Sequence, residues 1–371
     1  MTSVEELAVQ RVKTVHAPDD RVVCFEVTVE AEDEGDDETP GIVLAGTVQT
    51  DRTKESLLEE LRQLSTGRTV RDSLSVLEGT GEAMTTDLHV SAVRGEPHED
   101  AEQVTQVLYG AELTAYDSRD GWRRVRTPGG YLGWVEATAL TDPRVAADDV
   151  DVTDPGTAVD AVDTTDPRGT RNGVDVTNQS EWRPDGVVTA PTTPHQSNAT
   201  PETVPAGVDC HLESRDDEEV TVSFRTGVRA TLPETAIHER TSTGTGADVV
   251  AVARQFLRTP YEWGGMTIEG IDCSGLVWVA YASVGVTVPR DADQQRDLGT
   301  DVSQDNLEPG DLLFFPGHVA ISLGGSEFVH AYGSAEQVTV NSLDPSHAEY
   351  VESLAESVTA MKRFLPAEGA R

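Results

Sequence analysis

A chain of 371 residues is long for a single hydrophobic core and predicts several domains. Its 66 acidic residues outnumber 28 basic ones, giving a formal net charge of −38, and a surface of that sign repels nucleic acid and anionic membranes. Neither is expected as a partner; with no apolar run long enough for a bilayer and no basic start leading into an apolar stretch, a cytoplasmic location is the expectation.

Residues 1–76 predict a small α/β unit. RVVCFEVTVEA and GIVLAGTVQT alternate as strands, and TKESLLEELRQL puts Leu57, Leu58, Leu61 and Leu64 on one helical face. Residues 83–141 hold four short strand-like runs punctuated by Gly110, Asp120-Gly121 and Gly129-Gly130. Gly121-Trp122, Val125 and then Gly130-Tyr131-Leu132-Gly133-Trp134-Val135 resemble a bacterial SH3-like barrel, although Leu88-His89-Val90-Ser91 lacks the arginine that usually opens that family. Trp122 and Trp134 are expected in the barrel core, with glycan or peptide docking as a secondary role. Residues 142–204 are rich in Asp, Thr and Pro and predict an acidic, disordered low-complexity linker or insertion. Residues 205–238 regain strand character, and Gly227–Pro233 faintly resembles the last strands of a second, partial SH3-like barrel.

From 245 to 366 the pattern changes again. Val249, Val250, Ala253 and Leu257 share a helical stripe that Pro260 stops. A Trp263-Gly264-Gly265 turn leads to Cys273, which opens a second stripe of Leu276, Val277, Ala280 and Val284. The three cysteines (Cys24, Cys210, Cys273) make neither a disulfide framework nor a zinc pattern. At a helix start, unpaired backbone N–H groups and the macrodipole favour a thiolate and can receive a developing oxyanion. Position alone leaves Cys273 open as nucleophile or as small buried hydrophobe.

The histidines shift that balance. Residues 318–332 read as a hairpin with a Gly-Gly-Ser turn. A three-residue turn, 324–326, sets Ala320 opposite His330 and His318 opposite Tyr332, so both imidazoles share a face; a two-residue turn separates them. The shared face suits a base, His318, oriented by His330.

Tyr261-Glu262-Trp263-Gly264-Gly265, Asp272-Cys273-Ser274-Gly275-Leu276, Pro289-Arg290, Pro309-Gly310-Asp311, Gly317-His318 and Phe328-Val329-His330-Ala331 occur in the order that resembles the NlpC family of papain-like cysteine peptidases. The resemblance implies an α+β, papain-like C-terminal domain, helices on an antiparallel sheet, behind SH3-like barrels and the N-terminal α/β unit. It implies Cys273 as nucleophile, His318 as base and acid, and His330 as the third polar residue. It places Tyr261 near the nucleophile or oxyanion, and Asp272 and Ser274 at the positions that contact a substrate amine. Arg290 and Asp311 are expected to hold loops. No metal or cofactor is implied.

The implied reaction is amide hydrolysis through a Cys thioester, on small cell-wall-type or γ-glutamyl peptides. The alternatives are a Cys-His amidase or acyltransferase on a non-wall substrate, and a non-catalytic glycan- or peptide-binding module. Three lysines (Lys13, Lys54, Lys362) against 25 arginines add a halophilic expectation. At 1 M salt the Debye length shrinks to ~3 Å and mutes the self-repulsion of an acidic surface.

Overall fold

The computed structural model describes residues 3–32, 41–64, 68–143, 182–191, 193–194, 201–240 and 244–365. Most of the expected 142–204 linker lies outside the described residues. Among them, no helix is long and apolar enough to cross a membrane.

Helix α1 (Val4–His16) opens on a capping box in which Ser3 and Glu6 bond each other's backbone amides. Strands β1 (Phe25–Glu32) and β2 (Gly41–Val48) pair antiparallel; α2 (Asp51–Leu64) then carries the chain to β3 (Val70–Val76), parallel to β2. A parallel pair requires such a crossover. Leu57, Leu58 and Leu61 join Ala8, Val9, Val12 and Leu44 in a core of their own. Leu64, the last residue of α2, is 42% exposed and takes no part in it.

Strands β4 (Glu82–Met84), β5 (Val90–Arg94), β6 (Gln103–Leu108), β7 (Leu113–Arg119), β8 (Trp122–Arg126) and β9 (Leu132–Glu136) form one sheet in the order β4-β7-β8-β9-β5-β6. Asp120 and Gly121, both at positive φ, make the two-residue turn between β7 and β8, as an Asp-Gly pair favours. Trp122 and Trp134 are buried, Trp134 beneath the guanidinium of Arg124 at 4.7 Å.

A second β unit follows: β10 (Gly186–Val188), β11 (Thr193–Pro194), β12 (Thr203–Val204), β13 (Asp209–Asp216), β14 (Glu219–Ser223), β15 (Arg229–Pro233) and β16 (Ile237–Glu239). Its five-stranded sheet runs β15-β14-β13-β10-β16. Gly186–Val188, which composition assigns to the linker, thus lies inside the sheet between β13 and β16, with Val187 and Val188 fully buried. Three residues offer too little alternation to be read as a strand.

The C-terminal segment comprises α3 (Gly246–Gln255), β17 (Met266–Thr267), β18 (Gly270–Ile271), α4 (Cys273–Ala282), α5 (Ala292–Arg296), β19 (Thr300–Asp301), β20 (Pro309–Phe315), β21 (His318–Gly324), β22 (Glu327–Tyr332), β23 (Gln337–Ser342), α6 (Glu352–Ala355) and β24 (Ala360–Arg363). Its antiparallel sheet, β19-β24-β20-β21-β22-β23, carries α3 and α4 on the face of β20, β21 and β22. The architecture is α+β. One buried cluster joins this segment to the second β unit, with Val188, Val222 and Phe224 packed alongside Val249, Leu276, Tyr281 and Val319.

Candidate active site

Cys273 is the first residue of α4, and Asp272 is its N-cap. The Asp272 carboxylate accepts from the Gly275 amide at 2.6 Å and the Gly264 amide at 2.8 Å. It also takes a two-pronged bond from Arg290, at 3.0 and 2.7 Å, and both side chains are almost wholly buried. Ser274 Oγ donates to Asp272 and accepts from Arg290 at 2.9 Å. Gly275 lies against the Trp263–Gly265 turn, where a Cβ would collide with the Gly265 carbonyl oxygen. This packing explains why glycine follows Cys-Ser: the helix start is held against the turn by backbone contact. Asp272 and Ser274 are therefore turned onto Arg290, whose third edge donates to Thr105 Oγ1 of β6 at 2.8 Å.

Above the helix start runs β21. The backbone amides of Val319 and Ser274 lie near enough to the Cys273 sulfur to favour its thiolate, so the thiol sits beside the strand that begins with His318. His318 Nε2 lies 2.8 Å from His330 Nδ1, and His330 Nε2 lies 2.9 Å from Asn341 Oδ1. Asn341 Nδ2 donates to the Glu349 carbonyl at 3.0 Å. Followed backward, that chain fixes every proton. Asn341 presents its oxygen, so His330 donates from Nε2 and accepts at Nδ1. His318 must then donate from Nε2, which leaves Nδ1 of His318 with a free lone pair. The ring of Tyr332 stacks on His330 at 4.8 Å and holds its plane.

The hairpin reaches this geometry by a route the sequence did not suggest. The turn has two residues, Gly325 and Ser326, between paired Gly324 and Glu327. Leu323 is an extra residue in β21, and this bulge restores the register in which Ile321 faces Val329. His318 and His330 consequently share a face.

The helix-start argument favours a thiolate, but burial pushes the Cys273 thiol up to about 12, with the Asp272 carboxylate adding to the shift. Burial, with His330 close by, pushes His318 down to about 3, and burial pushes His330 down to about 4. Cys273 rests as a neutral thiol and His318 as a neutral imidazole. Tyr261 is close enough to feel Cys273; burial first, then the neighbouring thiol, pushes its hydroxyl up to about 12, so it stays a proton donor. Strand β6 lies against the turn that leads to Cys273: Gln103 donates to the Trp263 carbonyl at 3.1 Å, and Gln106 accepts from the Met266 amide at 2.8 Å. Trp263 itself is 59% exposed there.

Comparison with known proteins places these residues in context. The NlpC/P60 family matches residues 258–354, and the bacterial dipeptidyl-peptidase Sh3 domain matches residues 93–140. A probable endopeptidase of Corynebacterium glutamicum is 33% identical over 162 residues, which are 42% of this chain and 73% of that protein. The chain belongs to the NlpC/P60 family. Among other relatives, dipeptidyl-peptidase 6 of Lysinibacillus sphaericus is 45% identical over 115 residues, 31% of this chain; the chain spans 42% of that protein's length. A γ-D-glutamyl-L-lysine dipeptidyl-peptidase of Bacillus cereus is 27% identical over 71% of this chain and 75% of its own length. The crystal structure of an NlpC/P60 family protein from Bacillus cereus shares the fold, with a TM-score of 0.58 at 22% identity, over 77% of this chain and all of that one.

Within the NlpC/P60 segment, the structure joins His318 to His330, sets Tyr261 within electrostatic reach of Cys273, places Cys273 beside the strand that His318 begins, and bonds Ser274 to Asp272 next to it. Sequence reasoning missed Asn341. His330 faces Thr339, and Asn341 lies two residues further along β23 on the same face; a polar residue diagonal to His330 was the signal available. Asp311 holds Arg363 through two bonds of 2.8 and 2.7 Å, a loop-fastening contact. Among the described residues, no group of His, Cys, Asp and Glu is arranged to hold a metal ion.

Proposed function

We propose that the chain is a cysteine peptidase hydrolysing γ-glutamyl or cell-wall-type peptides, and that Cys273, His318, His330 and Asn341 form its catalytic relay. The observation that carries this reading is the one-directional hydrogen-bond chain from Asn341 to His318, which leaves a lone pair on His318 Nδ1 to accept the thiol proton. Substrate entry triggers that transfer, and Cys273 Sγ attacks the amide carbonyl. The carbonyl oxygen gains negative charge at the mouth of α4, where the first-turn amide of Cys273 and the Tyr261 hydroxyl are the available donors. His318 returns its proton to the leaving amine, the C–N bond breaks, and a thioester remains. Water then attacks with His318 as base, releasing the acid and restoring the thiol.

Asp272 and Ser274 act in this reading chiefly by fixing the helix start. An amine role for them requires a substrate group to displace part of the Arg290 contact. The γ-D-glutamyl specificity is supported by the Bacillus cereus relative's named activity and by the SH3-like strand β6, which in this reading lines the entrance to the site. A small peptide is the partner that fits such an entrance. The proposed domains are those expected from sequence, with the second β unit extended back to 186. A cytoplasmic location is part of the reading, supported by three free thiols. So is adaptation to strong salt, supported by the −38 charge.

The test is hydrolysis of γ-D-glutamyl and α-linked dipeptides, in dilute buffer and in molar KCl. Turnover of the γ-linked set is expected, higher in salt. Cys273→Ala should abolish it with the fold intact. Equal turnover in that variant would falsify the mechanism, and exclusive cleavage of α-linked peptides would remove the substrate assignment.

A further inference from the structure

A second cavity lies behind the catalytic helix, where the SH3-like unit, the second β unit and α4 meet. Its volume is about 410 Å³, within the roughly 300–1,000 Å³ typical of small-molecule sites. None of Cys273, His318, His330 or Tyr261 lines it. Its charge runs against the rest of the chain: among the described residues, Arg126, Arg225, Arg240 and Arg290 face two carboxylates, Glu112 and Asp209. Arg225 is paired with Glu112, Arg240 with Asp209, and Arg290 with Asp272. Arg126 bonds only neutral acceptors among the described residues: Tyr116 Oη, the Val22 and Gly130 carbonyls and Gln49 Oε1. One positive charge is left over.

The decisive feature is a set of unused donors. The indole N–H of Trp182 and the Nε–H groups of Arg225 and Arg240 are buried and have no hydrogen-bond partner among the described residues. Buried polar atoms in folded proteins are almost always paired, and leaving a donor unpaired is costly. Three at the wall of one cavity point to a missing acceptor. Arg225 stacks on Trp182 at 4.5 Å, so the two unused donors belong to one rigid unit. Trp278, Val208 and Ala282 supply apolar wall.

We propose that this cavity binds a small organic anion, a carboxylate carried on an apolar body, with the carboxylate taken by Trp182, Arg225 and Arg240. The excess charge selects an anion, and the indole and aliphatic wall selects an organic one over an inorganic one.

Calorimetric titration of the full chain with hydrocinnamate, and separately with inorganic phosphate at fixed ionic strength, tests this. Saturable one-to-one binding of hydrocinnamate is expected, with a change in tryptophan fluorescence. Arg225→Gln should weaken it about tenfold or more, the loss of a charge-assisted bond. Glu112→Gln should tighten it, because the competing carboxylate disappears; this side chain is 66% exposed, so the change spares the fold. Cys273→Ala should bind like the parent, placing the ligand outside the active site. The proposal is overturned by no saturable binding, by unchanged affinity in Glu112→Gln, or by loss of binding in Cys273→Ala. Binding of phosphate without hydrocinnamate overturns the organic class.

Discussion

Asn341 decides which nitrogen of His318 is free, although it never touches the thiol. In Asn341→Ala, His330 Nε2 loses its acceptor at 2.9 Å, and both imidazoles can adopt the opposite tautomer. The turnover number should fall about 10- to 100-fold, a range seen when a ligand's orienting partner is removed, with KM near the parent. Asn341→Asp keeps an acceptor and adds negative charge, so it should retain more activity and move the acid limb of the pH profile upward. Steady-state kinetics across pH separate the two; equal loss in both variants would show that Asn341 serves only packing. A second consequence follows from burial. His318 and His330 have folded pKa values of about 3 and about 4 against an ordinary 6.5, so the unfolded chain binds protons first as pH falls. Their contribution is fully present above pH 6.5 and is lost on acidification toward 4, by up to about 1.4 kcal/mol per pH unit for each ring. Urea midpoints between neutral and mildly acidic pH should show this slope, and His330→Gln should flatten it; a slope identical to the parent's rules the histidine out as its source. The placing of Cys273 at a helix start and of His318 at a strand start was legible. Asn341 was not, because no local pattern distinguishes it from any polar strand residue.

At the scale of elements, a helix and a hairpin carry the site, and each rests on a feature only partly visible in sequence. The hairpin's parity was legible as a condition, that both histidines share a face. The bulge at Leu323 that satisfies it was not, since a Gly-Gly-Ser turn fits two loop lengths equally well. The start of α4 rests on Asp272, which caps the helix and neutralises a buried Arg290. Removing one partner of a buried pair costs about 3–5 kcal/mol because the other charge stays behind, and losing a cap adds about 1 kcal/mol. Asp272→Ala should therefore lower the unfolding midpoint sharply. The double variant Asp272→Asn with Arg290→Met should recover part of that loss, although neither change restores the pair. If Asp272→Ala melts with the parent, the helix start is held by something other than this carboxylate.

For the whole molecule, the upstream units are tied to the rest in two ways: residues 1–76 by polar contacts, such as Arg21 to Asp291 and Asp293 and Glu26 to Arg124, and the second β unit by shared apolar core. Residues 1–76 bury their own cluster around Leu44, Leu57 and Leu61. The second β unit has no such independence: Val188, Val222 and Phe224 belong to the cluster that includes Leu276, Tyr281 and Val319 of the catalytic segment. Sequence could not show this, because the strand that completes the unit is three residues long and the composition around it resembles a linker. The SH3-like unit reaches further in, through Thr105 to Arg290 and so to the Cys273 helix start. Deleting residues 1–76 takes Arg21 from Asp291 and Asp293 and Glu26 from Arg124 but leaves the apolar core of the catalytic segment covered, so iodoacetamide labelling of Cys273 and peptide turnover should stay within a few-fold of the full chain. Deleting residues 1–240 strips apolar cover from the shared core at roughly 25 cal/mol per Å² exposed and leaves Arg290 Nε without its acceptor. That fragment should lose its cooperative melt rather than merely broaden its substrate range. Circular dichroism melts of the two truncations decide the point: a cooperative, active 241–371 fragment would mean that the catalytic segment folds alone and that the shared cluster is an accessory contact.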